Sequence, residues 1–483
     1  MASRPLRSFA SDADRNLLWA LRMNRLPLLV LTIVCLGLWL LFVQRHASLQ
    51  VGISSSSAIL NLKTSFSAVC EVATWNRKTR DEVPNFEMLR KAVEMNIGKL
   101  NNILDAQPRL VSAFVYPDHI TIITTAMHTY GKPVTCRYFD CNRTPIPGSD
   151  FRSIVVPMAS VSCPRRFGAE YVALGFNETE RFDAQEPIPL TYRAYENPIH
   201  ELSVCVGPLY GRESKWLEVI EYVEHYRLLG ATYFYFSLFN VSRYDRRIID
   251  DYERLGVAEA TSYVTEYESL GWQFHMIQTQ ECHHRSKFHS KWVLNVDIDE
   301  RLVFNPHSTG SLMNYLRSMP SNMGELSFST NRVLKTERAP AKFTNETDLM
   351  AEMSFLKYNQ TTETSWYNFK GAIRPELVGL LAYHWSYRQR EGVRVMSVPK
   401  RVGYIRHYRS TDKEALNGNW RDFYNGTLHT TRLESSFEEK LVRAVRERVR
   451  YVYEQRMIRC EEISKFILDR YSRHLLECKY RSE

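Results

Sequence analysis

From Leu26 to Val43 the chain reads LPLLVLTIVCLGLWLLFV, 18 residues without a charge. So apolar a run has no place on the surface of a water-soluble domain, and as a helix it spans roughly 27 Å, enough for the core of a thin bilayer. Arg4, Arg7, Arg15, Arg22 and Arg25 precede it, and only Arg45 follows closely. The excess of arginine on the leading side predicts a cytosolic N-terminus and a luminal body. A cleaved signal peptide is the alternative, but the charged leader is long and no small-x-small site follows Val43. The expected order is therefore a cytosolic tail at 1–25, a membrane anchor at 26–43 and a Ser-rich stem at 44–80.

The remainder carries marks of an oxidising, glycosylating compartment. Six Asn-x-Ser/Thr triplets begin at Asn142, Asn177, Asn240, Asn345, Asn359 and Asn425, all beyond the anchor. Eight of nine cysteines also follow it: Cys70, Cys136, Cys141, Cys163, Cys205, Cys282, Cys460 and Cys478. An even set permits up to four disulfides, with the pairing left open. The net charge of +9 favours anionic ligands or membrane surfaces. No Lys/Arg block interleaved with aromatics stands out, which argues against a nucleic-acid partner.

Two textures follow the stem. Up to about Ile199, short β-branched runs (LVSAFVY, HITIITTAM, SIVVPMA, AEYVALGF) alternate with Pro, Gly and Asn clusters, predicting a β-rich accessory domain over 81–200. From Leu202, SVCVGPLY reads as a strand. Trp216, Val219, Ile220, Val223, Tyr226 and Leu229 then recur at helical spacing up to Gly230. A strand (ATYFYFSLF), a helix closed by Gly256 and a strand (VAEATSYV) come next, which predicts an open α/β sheet over 201–415. In the C-terminal helical segment, 416–483, Ser436 and Glu439 fit a capping box. Phe437, Leu441, Val445, Val449 and Val452 follow as one apolar stripe in an Arg-rich helix.

KWVLNVDIDERLVF is the most informative stretch. Val293, Leu294 and Val296 form a buried-strand pattern that breaks into Asp297-Ile298-Asp299-Glu300. Side chains alternate along a strand, so Asp297 and Asp299 are expected to point to one side. Ligands of open α/β sheets gather at the carboxyl ends of strands. Paired carboxylates there repel unless protons or a cation intervene. A hard divalent ion satisfies both and can also hold the phosphate oxygens of a nucleotide diphosphate. A phosphatase-type aspartyl nucleophile normally uses Asp-x-Asp-x-Thr, and Arg301 occupies the Thr position.

Together SVCVGPLYG, KWLEVIEYVEHYRLLGATYFYFS, QTQECHHR, KWVLNVDIDERLVF, KGAIRPE and RHYRS resemble the glycosyltransferase family 92 domain, from about Leu202 to Arg409. The resemblance implies a GT-A nucleotide-sugar-binding fold, a UDP-galactose donor, Mn2+ or another divalent cation, and inversion at the anomeric carbon. On that reading Asp297 and Asp299 are the metal motif, with Arg301 standing where the family has Phe. Gln280 and Cys282 match a structural Gln-plus-Cys block. A further metal ligand is expected from His407 or His384. Lys370 and Arg374 are candidates to hold phosphate oxygens. Pro208, Tyr210, Arg212 and Asp245 are placed near the base and ribose. Glu337 and Glu352 lie where the family interval would seat a catalytic carboxylate. The expected activity is galactosyl transfer, in β linkage, to a glycan on a glycoprotein or glycolipid, in the Golgi membrane as a single-pass type II protein. A lectin-like glycoprotein without catalysis, or a transferase for another sugar, are the competing readings.

Overall fold

The structure, a computed structural model, describes residues 70–84, 109–125, 131–156, 158–176, 186–211, 213–239, 241–263, 272–413 and 418–455. The expected tail and anchor, most of the stem, Asn177, Arg212, Asn240, Cys460 and Cys478 lie outside these residues. No helix among those described is long and apolar enough to cross a membrane. All of them belong to one compact unit.

The β-rich stretch forms seven strands: β1 (Leu110–Val115), β2 (His119–Thr124), β3 (Pro133–Phe139), β4 (Phe151–Ile154), β5 (Ser160–Pro164), β6 (Tyr171–Gly175) and β7 (Ile188–Tyr192). They pair in the order β4-β3-β6-β7-β1-β2-β5. The two edges meet through a Val155–Val161 bridge, and the Cys136–Cys163 disulfide spans the same closure. Closure shields backbone groups that an open edge would expose. Every residue of β2 is buried, so HITIIT lacks the polar alternation of a one-sided strand. One face of β2 fills the interior of this sheet and the other lies against a helix of the second sheet's layer.

That second sheet has eleven strands. Its first half is built as β8 (His200–Val206), α1 (Trp216–Leu228), β9 (Tyr233–Leu238), α2 (Arg243–Arg254), β10 (Ala258–Ser262), α3 (Trp272–Ser286) and β11 (Ser290–Val296). The four strands run parallel in the order β10-β9-β8-β11. Gly230 and Gly256 close the first two helices at φ +104° and +71°, the left-handed conformation that glycine enters without strain. Alternation along β8 divides its two faces: Val204 and Val206 join the core beneath α1, while Cys205 turns the other way to a disulfide with Cys282 on α3.

The second half adds β12 (Glu300–Phe304), β13 (Met323–Lys335), β14 (Gln360–Thr361), β15 (Ser365–Ile373), β18 (Arg394–Val398), β19 (Gly403–Ser410) and β20 (His429–Thr430), while β16 (Val378–Ala382) and β17 (Trp385–Gln389) make a separate hairpin. Helix α4 (Ser435–Val449) packs on α1 through Leu441, Val445 and Val449. Its cap differs from the expected Ser436/Glu439 box. Glu434 is the N-cap, its carboxylate accepting from the backbone N–H of Ser436 and Phe437, so the chain enters the helix two residues early.

The two sheets are joined by buried polar contacts on α3. Arg193 pairs with Glu259 at 2.6 Å and donates to the Arg285 carbonyl at 2.8 Å, and Tyr116 donates to the His284 carbonyl at 2.6 Å. Arg285 in turn pairs with Glu281 and Glu259.

Candidate active site

Strand β11 ends at Val296, one residue before the acidic motif. The Asp297 carbonyl accepts the Glu300 N–H at 3.0 Å, which folds Asp297–Glu300 into a tight turn leading into β12. The two aspartates are therefore brought together by a turn and not, as strand alternation predicts, by a shared strand face. The turn is pinned from below. Glu300 is 0% exposed and its Oε2 accepts the Asp297 N–H at 2.9 Å. Tyr222 and Tyr226 of α1 donate to the carbonyls of Val296 and Glu300 at 2.9 and 3.1 Å. Arg301 lies buried against the Tyr222 ring, 4.8 Å from its centroid, and donates to the carbonyls of Ile298, Glu300 and Glu218. Arg301 thus ties down three carbonyls around the turn.

The turn sits at the point where the strand order reverses. The chain runs outward from β8 to β10 and then returns to place β11 on the other side of β8, with Val206 and Val296 in register. Crevices at such a point, beyond the carboxyl ends of the strands, are where open α/β sheets take ligands. Gly207 follows β8 there, and a Cβ at that position would collide with Asp297 Oδ1 and lie 3.0 Å from its Cα. The crevice is a cleft of about 1330 Å³ lined by both aspartates.

Each aspartate has its own imidazole partners. Asp297 Oδ1 is 3.1 Å from His275 Nε2, and its Oδ2 is 3.4 Å from His384 Nε2. Asp299 Oδ2 is 3.1 Å from His407 Nε2, whose Nδ1 is 3.3 Å from Glu300 Oε1. Lys370 bridges the carboxylates, with Nζ 3.3 Å from Asp297 Oδ2 and 2.8 Å from Glu300 Oε1. Burial pushes the Asp297 carboxyl upward, but the Lys370 ammonium above all outweighs it and holds that group well below the usual range. Asp299 is likewise lowered against burial, chiefly by His407. Burial raises Glu300 and lowers His384, leaving a neutral imidazole beside an ionised aspartate.

These donors fit a divalent cation. In each of the sets His275/Asp297/His384 and Asp299/Glu300/His407 the ligand atoms lie within 4.8 Å of one another. His275 Nε2 is buried without a hydrogen-bond partner of good geometry although it faces Asp297, as a nitrogen aimed at a shared ion would be. Carboxylate oxygen combined with imidazole nitrogen suits Mn2+ and its neighbours better than an all-oxygen magnesium shell.

Of the residues expected from the sequence, Asp297, Asp299, His384, His407, Lys370, Pro208 and Tyr210 line this cleft. Arg212 is outside the described residues. Four others do not line it. Arg374 stacks on Trp292 at 4.5 Å and donates to the carbonyls of Met319, Pro320 and Ser321, so its charge serves packing. Asp245 accepts from Ser214 Oγ and from the N–H groups of Lys215 and Trp216, capping the start of α1. Glu337 and Glu352 both pair with Lys357, at 2.8 and 2.7 Å, and Glu337 is 64% exposed. Sequence reading missed His275, a lone histidine in the first turn of α3 with no motif around it. It also missed Arg409, which the strand period of RHYRS could have placed on the His407 side; its guanidinium is 4.0 Å from Asp299.

A comparison with protein families matches this region. The model of glycosyltransferase family 92 fits residues 200–441, half of the 483-residue chain. No curated protein matches significantly.

Proposed function

Because the chain belongs to glycosyltransferase family 92 and is therefore a glycosyltransferase, we propose that it transfers galactose from UDP-galactose to a glycan hydroxyl, with inversion, on a GT-A scaffold and with Mn2+. Membership implies a nucleotide-sugar donor and a glycan acceptor. One observation carries the finer reading: Asp297 and Asp299, each beside an imidazole, face one cleft at the sheet's switch point. The parallel β10-β9-β8-β11 order supports a nucleotide at the same point.

In this reading Asp297, Asp299, His384 and His407 hold the cation, with His275 at the same carboxylate. When bound, the ion would neutralise charge on the departing diphosphate. The residues themselves do the rest. Lys370, already ion-paired to Asp297, keeps the site's charge balanced and can turn toward a phosphate oxygen. Pro208 and Tyr210, just after β8, offer a wall for the base and ribose. The acceptor hydroxyl needs a carboxylate to take its proton. Glu213 and Glu218 line the cleft but are engaged by Lys335 and Lys215. Asp412 also lines the cleft, and because its partner Arg338 is exposed it is our choice for that base. Asp412→Asn is expected to lower kcat at least about 100-fold while UDP still binds; unchanged kcat would remove it from the mechanism.

We place the enzyme in the Golgi membrane as a single-pass type II protein. Three disulfides, Cys70–Cys141, Cys136–Cys163 and Cys205–Cys282, support an oxidising lumen. The direct test is turnover of UDP-galactose with Mn2+, against UDP-glucose and UDP-N-acetylglucosamine. A preference for either rival donor would overturn the galactose assignment.

A further inference from the structure

Phe423 is 75% exposed, the most exposed large apolar side chain among the described residues, yet it lines the cleft that holds the two aspartates. It is not at the end of a loose loop. It closes a 3-10 turn (Gly418–Phe423) anchored by Trp420, which is buried, donates from Nε1 to the Ser410 carbonyl at 3.0 Å and lies beneath the Arg332 guanidinium. Residues three apart share one side of a 3-10 helix, so Phe423 carries the Trp420 face outward. Ser410 ends the strand that bears His407, so this anchor begins roughly 10 Å along β19 from the metal-ligand candidate.

A second aromatic wall enters the cleft from another element. The β16–β17 hairpin turns on Tyr383 and His384, and Tyr383 has φ +53°, a conformation that two-residue hairpin turns usually give to Asn or Gly. This strained tip is held in place. The Tyr383 carbonyl accepts from Thr279 Oγ1 and Asn295 Nδ2, and the His384 carbonyl accepts the Gly371 N–H at 2.8 Å. A Cβ at Gly371 would lie 2.7 Å from that carbonyl oxygen, so the close docking needs glycine. The tip thus sets His384 at Asp297 and the next residue, Trp385, on the cleft wall, where its ring lies 5.1 Å from that of Phe369. Trp366, 47% exposed, lies on the far side of Phe369, their ring centroids 6.5 Å apart.

We propose that these two walls form the acceptor subsite, with Trp385 and Phe423 stacking on the C–H face of a pyranose ring. This deepens the function proposed above and rests on it. Phe423 is an exposed aromatic ring and Trp385 a half-buried one on the same cleft, and apolar rings left open to a cleft mark a binding surface. Their setting selects the ligand: the side chains of Asn368, Asn419, Asp412 and Arg338 line the same cleft. A purely apolar partner would make no use of the Asn368 and Asn419 amides, whereas a sugar offers an apolar face to the rings and a hydroxyl edge to such groups. The nucleotide base is better served by Pro208 and Tyr210, which follow β8 at the switch point.

Saturation-transfer NMR on the full chain tests this without a donor, using the methyl glycosides of β-galactose, β-glucose and α-mannose as probes. Transfer is expected to the ring protons of one face of at least one probe. Trp385→Ala and Phe423→Ala should each weaken that probe about tenfold, and Trp385→Phe and Phe423→Tyr should recover it. No transfer to any probe, or transfer indifferent to both alanine variants, overturns the proposal. In turnover assays the acceptor KM should move at least tenfold more than the donor KM in the alanine variants; equal movement also overturns it. Loss of UDP-galactose turnover in the unmodified protein, with probe binding intact, would sink the donor assignment and leave the platform standing.

Discussion

The two aspartates of the acidic turn are two positions apart in sequence and are supported in opposite ways. Asp299 is backed by neighbours on one ladder. Glu300 and His407 are register partners of β12 and β19, and the Asp299 carbonyl accepts the Tyr408 N–H at 2.8 Å. Asp297 instead relies on pieces from distant elements: the first turn of α3, the tip of a strained hairpin, and Lys370 on β15. A site built on adjacent strands holds its geometry through backbone pairing. One assembled from three separate elements holds it only while each is docked. The Asp299 side is accordingly the rigid anchor, and the Asp297 side is the adjustable one.

That contrast orders the expected effects. Asp299→Ala removes the anchor and should cost turnover at least about 1000-fold, since neutralising a leaving diphosphate is worth several kcal/mol. Loss of less than tenfold would contradict the assignment of anchor. Next, His407→Ala should weaken Mn2+ about 10- to 100-fold, judged by titration against a competing chelator. His275→Ala should weaken it by less. Equal losses would mean that the Asp297 set holds a cation of comparable strength.

Two smaller effects probe the supports. Glu221 on α1 is buried, and desolvation pushes its carboxyl up to about 7, against the pull of Arg301 and its bond from the Ser354 N–H. Folding therefore favours its protonated form, so its contribution is full below the unfolded value of about 4.5 and is lost as pH rises through 7. The shift corresponds to about 3 kcal/mol. Glu221→Gln should flatten that decline in denaturant unfolding between pH 4.5 and 8, and an unchanged slope would refute a buried neutral acid. Gly207→Ala, which presses a methyl into Asp297, should destabilise by about 1–3 kcal/mol and raise the donor KM. A silent substitution would mean that the Asp297 side gives way even more readily than described.

The same contrast explains what could be read from the residues alone. The parallel strands and their helices were legible because apolar spacing and the closing Gly230 and Gly256 are local signals. Asp297 and Asp299 were legible as a motif just beyond a strand, and His407 was expected from the family resemblance. His275 was not, because its partnership depends on how α3 docks, held by Cys205–Cys282 and by the buried ion pairs at its far end. Glu337 and Glu352 failed for a related reason. Position in an interval says nothing about which way a carboxylate turns, and both turned to Lys357. Asp245 and Arg374 were charges drawn to structural duties, one capping a helix and the other binding carbonyls, which composition cannot distinguish from ligand contacts. The family likeness supplied the site's chemistry, and tertiary docking decided its membership.

Calorimetric titration of UDP into the protein, with and without Mn2+, goes to the heart of the account. The wild type should bind UDP at least about 100-fold more tightly with Mn2+, and Asp299→Ala should abolish that gain while staying folded. UDP affinity that ignores the metal, or a gain that survives in Asp299→Ala, would contradict the view that this turn grips a diphosphate through a cation.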